Sequence, residues 1–153
     1  MPYKCPLCEI DPLNHSLVKI SESEHLVIFY SCPSKAKLYF DCVGIINHYN
    51  GVLSEIPKNK KWVWIFDSDG FNLNHFLQIN VGVQIAKLIT EKFSDNLLNI
   101  IIINPSLYVS LTHKTLKPFL VNKIDNLIKF DYKLTTVRDV IVNYGYEKYN
   151  ENI

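Results

Sequence analysis

The chain has 153 residues, 48% of them hydrophobic, and a formal net charge of +1: enough apolar material for one domain around one core, and too much for a disordered chain. A charge so close to zero provides no long-range field toward nucleic acid or an anionic membrane. No apolar run approaches the roughly 20 residues that span a bilayer, and Met1-Pro2-Tyr3-Lys4-Cys5 lacks the apolar core of a signal peptide, so the expectation is a soluble cytoplasmic protein.

Residues 1 to 16 are polar and turn-rich, with prolines at Pro2, Pro6 and Pro12, and they contain the C-x-x-C motif Cys5-Pro6-Leu7-Cys8. In a reducing compartment the four cysteines are thiols or metal ligands rather than disulfides. Cys5 and Cys8 have the spacing of two ligands to one zinc ion, but a structural zinc takes four. The remaining candidates, His15, His25, Cys32, Cys42 and His48, stand at irregular intervals. The competing reading is a surface pair of free thiols, or one turn of a short helix. Thioredoxin-like redox chemistry is disfavoured because no strand precedes the motif.

Leu17-Val18-Lys19-Ile20 and Leu26-Val27-Ile28-Phe29-Tyr30 read as two short strands joined by a polar loop, a hairpin. Ser34 is a candidate N-cap for a helix over roughly residues 35 to 49, which Asn50-Gly51 would stop. Val52 to Ile56 is ambiguous, and Pro57-Lys58-Asn59-Lys60-Lys61 is a solvated loop.

Trp62-Val63-Trp64-Ile65-Phe66 is an unbroken apolar run that stops at Asp67-Ser68-Asp69-Gly70. Without polar alternation, and rich in aromatic and β-branched residues, it reads as a strand buried on both faces, ending in a turn. Leu73, Leu77, Val81, Ile85, Leu88 and Ile89 then recur at steps of three and four, one helical stripe ending near Phe93. Gly82 inside it points to close packing there. Ile100-Ile101-Ile102-Ile103 is a second buried strand, ending at Asn104-Pro105. Strand, helix, strand is the unit of a parallel sheet. A helix over Leu107 to Val121 follows, which Pro118 should kink or shorten. Ile124 to Phe130 is a final strand or a continuing helix, Leu134 to Val142 a terminal helix, and residues 144 to 153 a polar tail.

Asp67-x-Asp69-Gly70 after an apolar strand also resembles the opening of haloacid-dehalogenase-like phosphatases. In those enzymes the first carboxylate attacks phosphorus beside Mg²⁺ and the second handles protons. Phe71 stands where they carry Thr or Val, and no later acidic pair completes the metal site. An Mg-dependent phosphatase using Asp67 and Asp69 is therefore the minor alternative, and a strand-end turn the stronger reading.

The larger pattern resembles the CRAL-TRIO lipid-binding domain family in a divergent, shortened form, from about residue 26 to about 142. The resemblance is carried by Trp62-Val63-Trp64-Ile65-Phe66-Asp67 followed by Gly70-Phe71, and by Lys92-Phe93-Ser94-Asp95-Asn96-Leu97 at the end of the long helix. Ile100 to Pro105, Leu116-Lys117-Pro118-Phe119-Leu120 and Lys123-Ile124 follow in order. It implies an α/β fold: a mixed, mainly parallel sheet with Rossmann-like layering, helices on one face, and an apolar pocket on the other closed by a mobile helix at roughly Ser106 to Val121. It implies one domain over 1–153, with an N-terminal extension over 1–25. It also implies a non-enzymatic carrier of phosphoinositides, other lipids or another small hydrophobic ligand, with peripheral membrane contact and no nucleic acid. A scaffold for a small GTPase or a membrane-associated partner, its pocket filled by its own side chains, is the alternative.

Burying a tail of about 16 carbons gains on the order of 12 kcal/mol, but a bilayer offers nearly the same, so headgroup contacts must discriminate. The candidate apolar walls are Trp64 and Phe66 on the central strand and Leu107, Tyr108, Leu111, Leu116 and Phe119 on the gate. Lys114 and Lys117, three apart on that helix, are candidates to meet a phosphate.

Overall fold

The computed structural model describes residues 5–11 and 14–146. The expected tail beyond Tyr146, and Pro2 and Pro12, lie outside the described residues.

Five strands form one sheet in the order β1-β2-β3-β4-β5. β1 (Val18–Glu22) and β2 (Leu26–Ser31) are the antiparallel hairpin, and Ser23 closes its loop, its N–H donating to the Leu26 carbonyl at 2.8 Å. β2, β3 (Lys61–Asp67), β4 (Leu97–Ile103) and β5 (Ile128–Asp131) are parallel neighbours. The connections carry helices: α1 (Pro6–Ile10) before the hairpin, α2 (Cys42–Leu53) between β2 and β3, and α3 (Leu73–Leu77) and α4 (Ile79–Leu88) between β3 and β4. α5 (Leu107–Leu116) and α6 (Asn122–Asp125) lead to β5, and α7 (Val137–Asn143) follows it.

Right-handed crossovers repeated in one direction across a sheet deposit every connecting helix on the same face. Ile45 of α2, Val81 of α4, Val109 of α5 and Ile124 of α6 accordingly share one core with Trp62, Trp64, Ile100 and Ile102. The alternate residues Val63, Ile65, Ile101 and Ile103 form a second core with Leu26 and Ile28, closed by Val140 and Tyr146. β3 is thus buried on both faces, as its unbroken apolar run requires. Both indoles bury with a partner: Trp62 Nε1 donates to the Phe93 carbonyl at 3.0 Å and Trp64 Nε1 to Ser31 Oγ at 2.7 Å.

Two helical regions differ from the sequence reading, and Pro118 shortens α5 as expected. α2 starts at Cys42, not near residue 35, because Asp41 takes the N-cap and accepts from the Gly44 N–H at 3.1 Å. Ser34 instead donates to the Asp69 carbonyl at 2.7 Å. Asn50-Gly51 does not stop α2: Ile45, Tyr49 and Leu53 make one buried stripe at steps of four, and burying Leu53 outweighs two weak helix formers. The long helix after β3 is broken at Gln78 (ψ 43°), and its last turn, Ile89–Phe93, is a π-helix. Leu77 lies exposed at the break, so the apolar stripe runs through two segments. Pro118 ends α5 in a 3₁₀ turn, Lys117–Phe119.

Candidate functional site

The strand-end turn is built around Asp67. Its Oδ2 accepts from the Tyr30 hydroxyl at 2.7 Å, and its Oδ1 from Asn104 Nδ2 and the Asp69 N–H, both at 3.0 Å. Burial and this carboxylate both push the Tyr30 hydroxyl pKa up. Gly70 (φ 76°) and Asn104 (φ 51°) take the left-handed conformations that the two strand ends need. Asp67 therefore fastens three elements together, and Asp69 beside it is exposed.

Next to this turn, under α5, lies an apolar cavity of about 120 Å³. Its floor is the crossover face of the sheet: Trp64 and Phe66 of β3, Ile100 and Ile102 of β4, and Ile128 of β5. α4 supplies one wall with Gly82, Ile85 and Ala86. A Cβ on Gly82 would sit 3.1 Å from Leu116 Cδ1, so the glycine sets how closely α4 approaches α5. Val109, Thr112, His113 and Leu116 of α5 form the roof. Few polar groups reach this space. Thr112 Oγ1 donates to the Tyr108 carbonyl at 2.8 Å, His113 Nε2 pairs with Asp125 Oδ1 of α6 at 2.8 Å, and Tyr39 lies at one end. Burial pushes the Tyr39 hydroxyl pKa up, so the phenol stays neutral and able to donate. α5 is held at its N-terminus by Ser106, whose Oγ donates to the Phe71 carbonyl at 3.1 Å.

The cavity lies on the crossover face, not on the opposite one that the family resemblance implied, because sequential strand order sends α5 to the same side as α4. Trp64, Phe66 and Leu116 are on its wall; Leu107, Tyr108, Leu111 and Phe119 are not. Leu107 is 68% and Leu111 36% exposed, and Tyr108 packs against the main core. Phe119 is partly exposed beneath Lys87, whose Nζ stands 5.5 Å from the ring centre. Lys114 and Lys117 face solvent. Hydrophobicity alone mixed the two phases of α5: Leu116 lines the cavity, and Leu107 and Leu111 point outward. The inward stripe, Val109, Thr112, His113 and Leu116, contains two polar residues, and the outward one contains two leucines. A 109/112/113/116 spacing was legible, but nothing in the sequence ranked it above 107/111.

Cys5 and Cys8 lie away from the cavity, at the start of α1, with His15 and His48 around them. The other candidate ligands are elsewhere. Cys32 contacts Ser34 and the Asp69 carbonyl, Cys42 contacts Asn80, and His25 lies beside Glu24 on the surface.

An apolar cavity thus lies between the helix-covered face of a largely parallel sheet and α5. The chain belongs to the CRAL/TRIO domain family, whose model matches residues 34–143. Among solved structures, the crystal structure of Sfh5 is similar over 80% of this chain with a TM-score of 0.59. Identity to it is 12%, so that likeness concerns the fold. The chain spans about half of that protein, 55% of its length. No curated protein matches in sequence. The family supports a lipid-binding or lipid-transfer role, and no described helix is long and apolar enough to cross a membrane.

Proposed function

We propose that the protein binds a small or single-chain hydrophobic ligand in the cavity beneath α5, and that α5 is the gate. The observation that carries this is the cavity itself: nearly all-apolar walls, a tryptophan in the floor, and one helix as the roof. A dry cavity of about 150 Å³ takes a benzene-sized group, whereas drug-sized ligands occupy about 300 Å³ or more. At about 120 Å³ the present space accepts a ring or the end of a chain, and a whole acyl chain needs α5 to move outward. Leu107, Leu111 and Lys114 share the outer stripe of α5 at steps of four and three. An exposed apolar pair beside a cation suits contact with a lipid surface at the moment of loading, with Lys117 one turn on to meet a phosphate.

Native mass spectrometry of the purified chain, followed by organic extraction, tests the reading. A co-purifying mass that extracts as lipid is expected, as is quenching of Trp64 emission by a brominated fatty acid. A clean protein mass, no uptake from mixed liposomes and no quenching would refute it. That result would leave an interaction scaffold, whose small residual cavity is incidental.

A further inference from the structure

Away from the cavity, four potential metal ligands converge. Cys5 precedes α1 and Cys8 lies in its first turn; His15 follows from the loop, and His48 projects from the middle of α2. One ligand atom from each lies within 4.8 Å of all the others. Cys5 Sγ and Cys8 Sγ are each 3.5 Å from His15 Nδ1, and Cys8 Sγ is 3.6 Å from His48 Nδ1. Bonds of about 2.3 Å to sulfur and about 2.05 Å to nitrogen, set at tetrahedral angles, place neighbouring S and N atoms about 3.6 Å apart. These three sulfur–nitrogen spacings match the S–N edges of such a tetrahedron.

The ring tautomers agree. His48 Nε2 lies 2.8 Å from the Leu17 carbonyl, which can only accept, so Nε2 carries the proton and Nδ1 presents its lone pair to the thiols. His15 Nε2 lies 3.1 Å from Asp41 Oδ2, the carboxylate partner that commonly orients a metal-bound imidazole. Thiol hydrogen bonds explain the cluster less well. His15 Nδ1 has one lone pair and two sulfurs at the same distance, whereas a central cation satisfies all four groups at once. Two thiolates also neutralise a divalent ion, so the buried site carries no net charge. Cys5, His15 and His48 are each less than a tenth exposed.

We propose that Cys5, Cys8, His15 and His48 form a closed, four-ligand zinc site. Two thiolates and two imidazoles in a tetrahedron suit zinc, and with no open position the role is structural. Only His48 falls within the family-matched residues 34–143. The ion therefore fastens the segment around Cys5 to His15 onto α2 of the carrier domain, independently of what the cavity binds.

The test is elemental analysis of the full chain purified without added chelator, with cobalt(II) reconstitution of the stripped protein. One zinc per chain is expected, along with a cobalt spectrum showing tetrahedral d–d bands and a thiolate charge-transfer band. His48→Asn should abolish stoichiometric metal, and Asp41→Asn should weaken zinc affinity about 10- to 100-fold. Cys42→Ser, which touches no ligand, should leave it unchanged. Should His48→Asn fail to fold, the wild-type metal content and cobalt spectrum decide. Less than a tenth of an equivalent of zinc from zinc-supplemented growth, stoichiometric iron in its place, or full retention in a folded His48→Asn protein would each overturn the assignment.

Discussion

Replacing Ala86 with leucine tests the cavity by the sign of its effect. Ala86 is 5% exposed, on the cavity wall, in a helix where leucine is nearly as favourable as alanine. About 120 Å³ of apolar-walled space leaves room for the larger side chain. The three added carbons recover about 2 kcal/mol if they enter open space. Forced into a filled core they would instead destabilise by about 1–3 kcal/mol. The expected result is therefore a higher urea midpoint, with stability raised by about 1–2 kcal/mol, together with loss of binding of an anilinonaphthalene-type probe. Urea unfolding followed by tryptophan emission, with probe titration on the same samples, reads both. A lower midpoint, with no probe bound by the wild-type protein either, would show that this space does not exist in solution, and the gate argument would fall with it.

Gly70→Ala should lower stability by about 1–3 kcal/mol, since the residue has φ 76° and the new Cβ would lie 2.8 Å from Ser34 Cβ; an unchanged urea midpoint would contradict this. Asp125→Asn removes the charge from the His113 pair across α5 and α6. A loss of about 1 kcal/mol there should speed ligand exchange about fivefold, measured by stopped-flow probe release; an unchanged rate would detach this pair from gating. Asp131 accepts from the Leu134 N–H, from the Tyr144 hydroxyl and from the Lys133 N–H, which hold its pKa below the ordinary carboxylate value. Its stabilisation is complete above the ordinary value and is lost as pH falls through the lower, folded-state one. The stability gap between wild type and Asp131→Asn should shrink as pH falls below the ordinary carboxylate value, and a constant gap would refute the linkage.

The sheet was legible because buried parallel strands leave a coarse signature. Trp62 to Phe66 and Ile100 to Ile103 have no polar alternation, and each stops at residues that end strands. Gly82 was also legible, since a glycine inside an apolar stripe signals a close neighbour. The start of α2 was not, because Ser34 and Asp41 are both competent caps and only tertiary contacts, Ser34 to Asp69 and Asp41 to His15, choose between them. The break at Gln78 left no mark on a periodicity that resumes in phase. In the cavity, the strand residues Trp64 and Phe66 followed from the pleat, but the rotation of α5 did not. For Cys5 and Cys8, spacing named two ligands. The other two, His15 and His48, are separated by 32 intervening residues and meet only because the loop carrying His15 packs against α2.

The single direction of the crossovers has a consequence for biosynthesis. Every helix that lies between two strands sits on the first face and docks as the sheet grows, whereas the second face waits for α7. A nascent chain released only as far as β5 has paired its strands and covered one side, yet Val63, Ile65, Ile101 and Ile103 stand open to solvent as a continuous greasy stripe. Such an intermediate is a natural substrate for chaperones on the ribosome and prone to aggregate when synthesis stalls. Chains ending after Asp131 should accordingly sediment as aggregates, while chains that extend through Tyr146 remain in the supernatant.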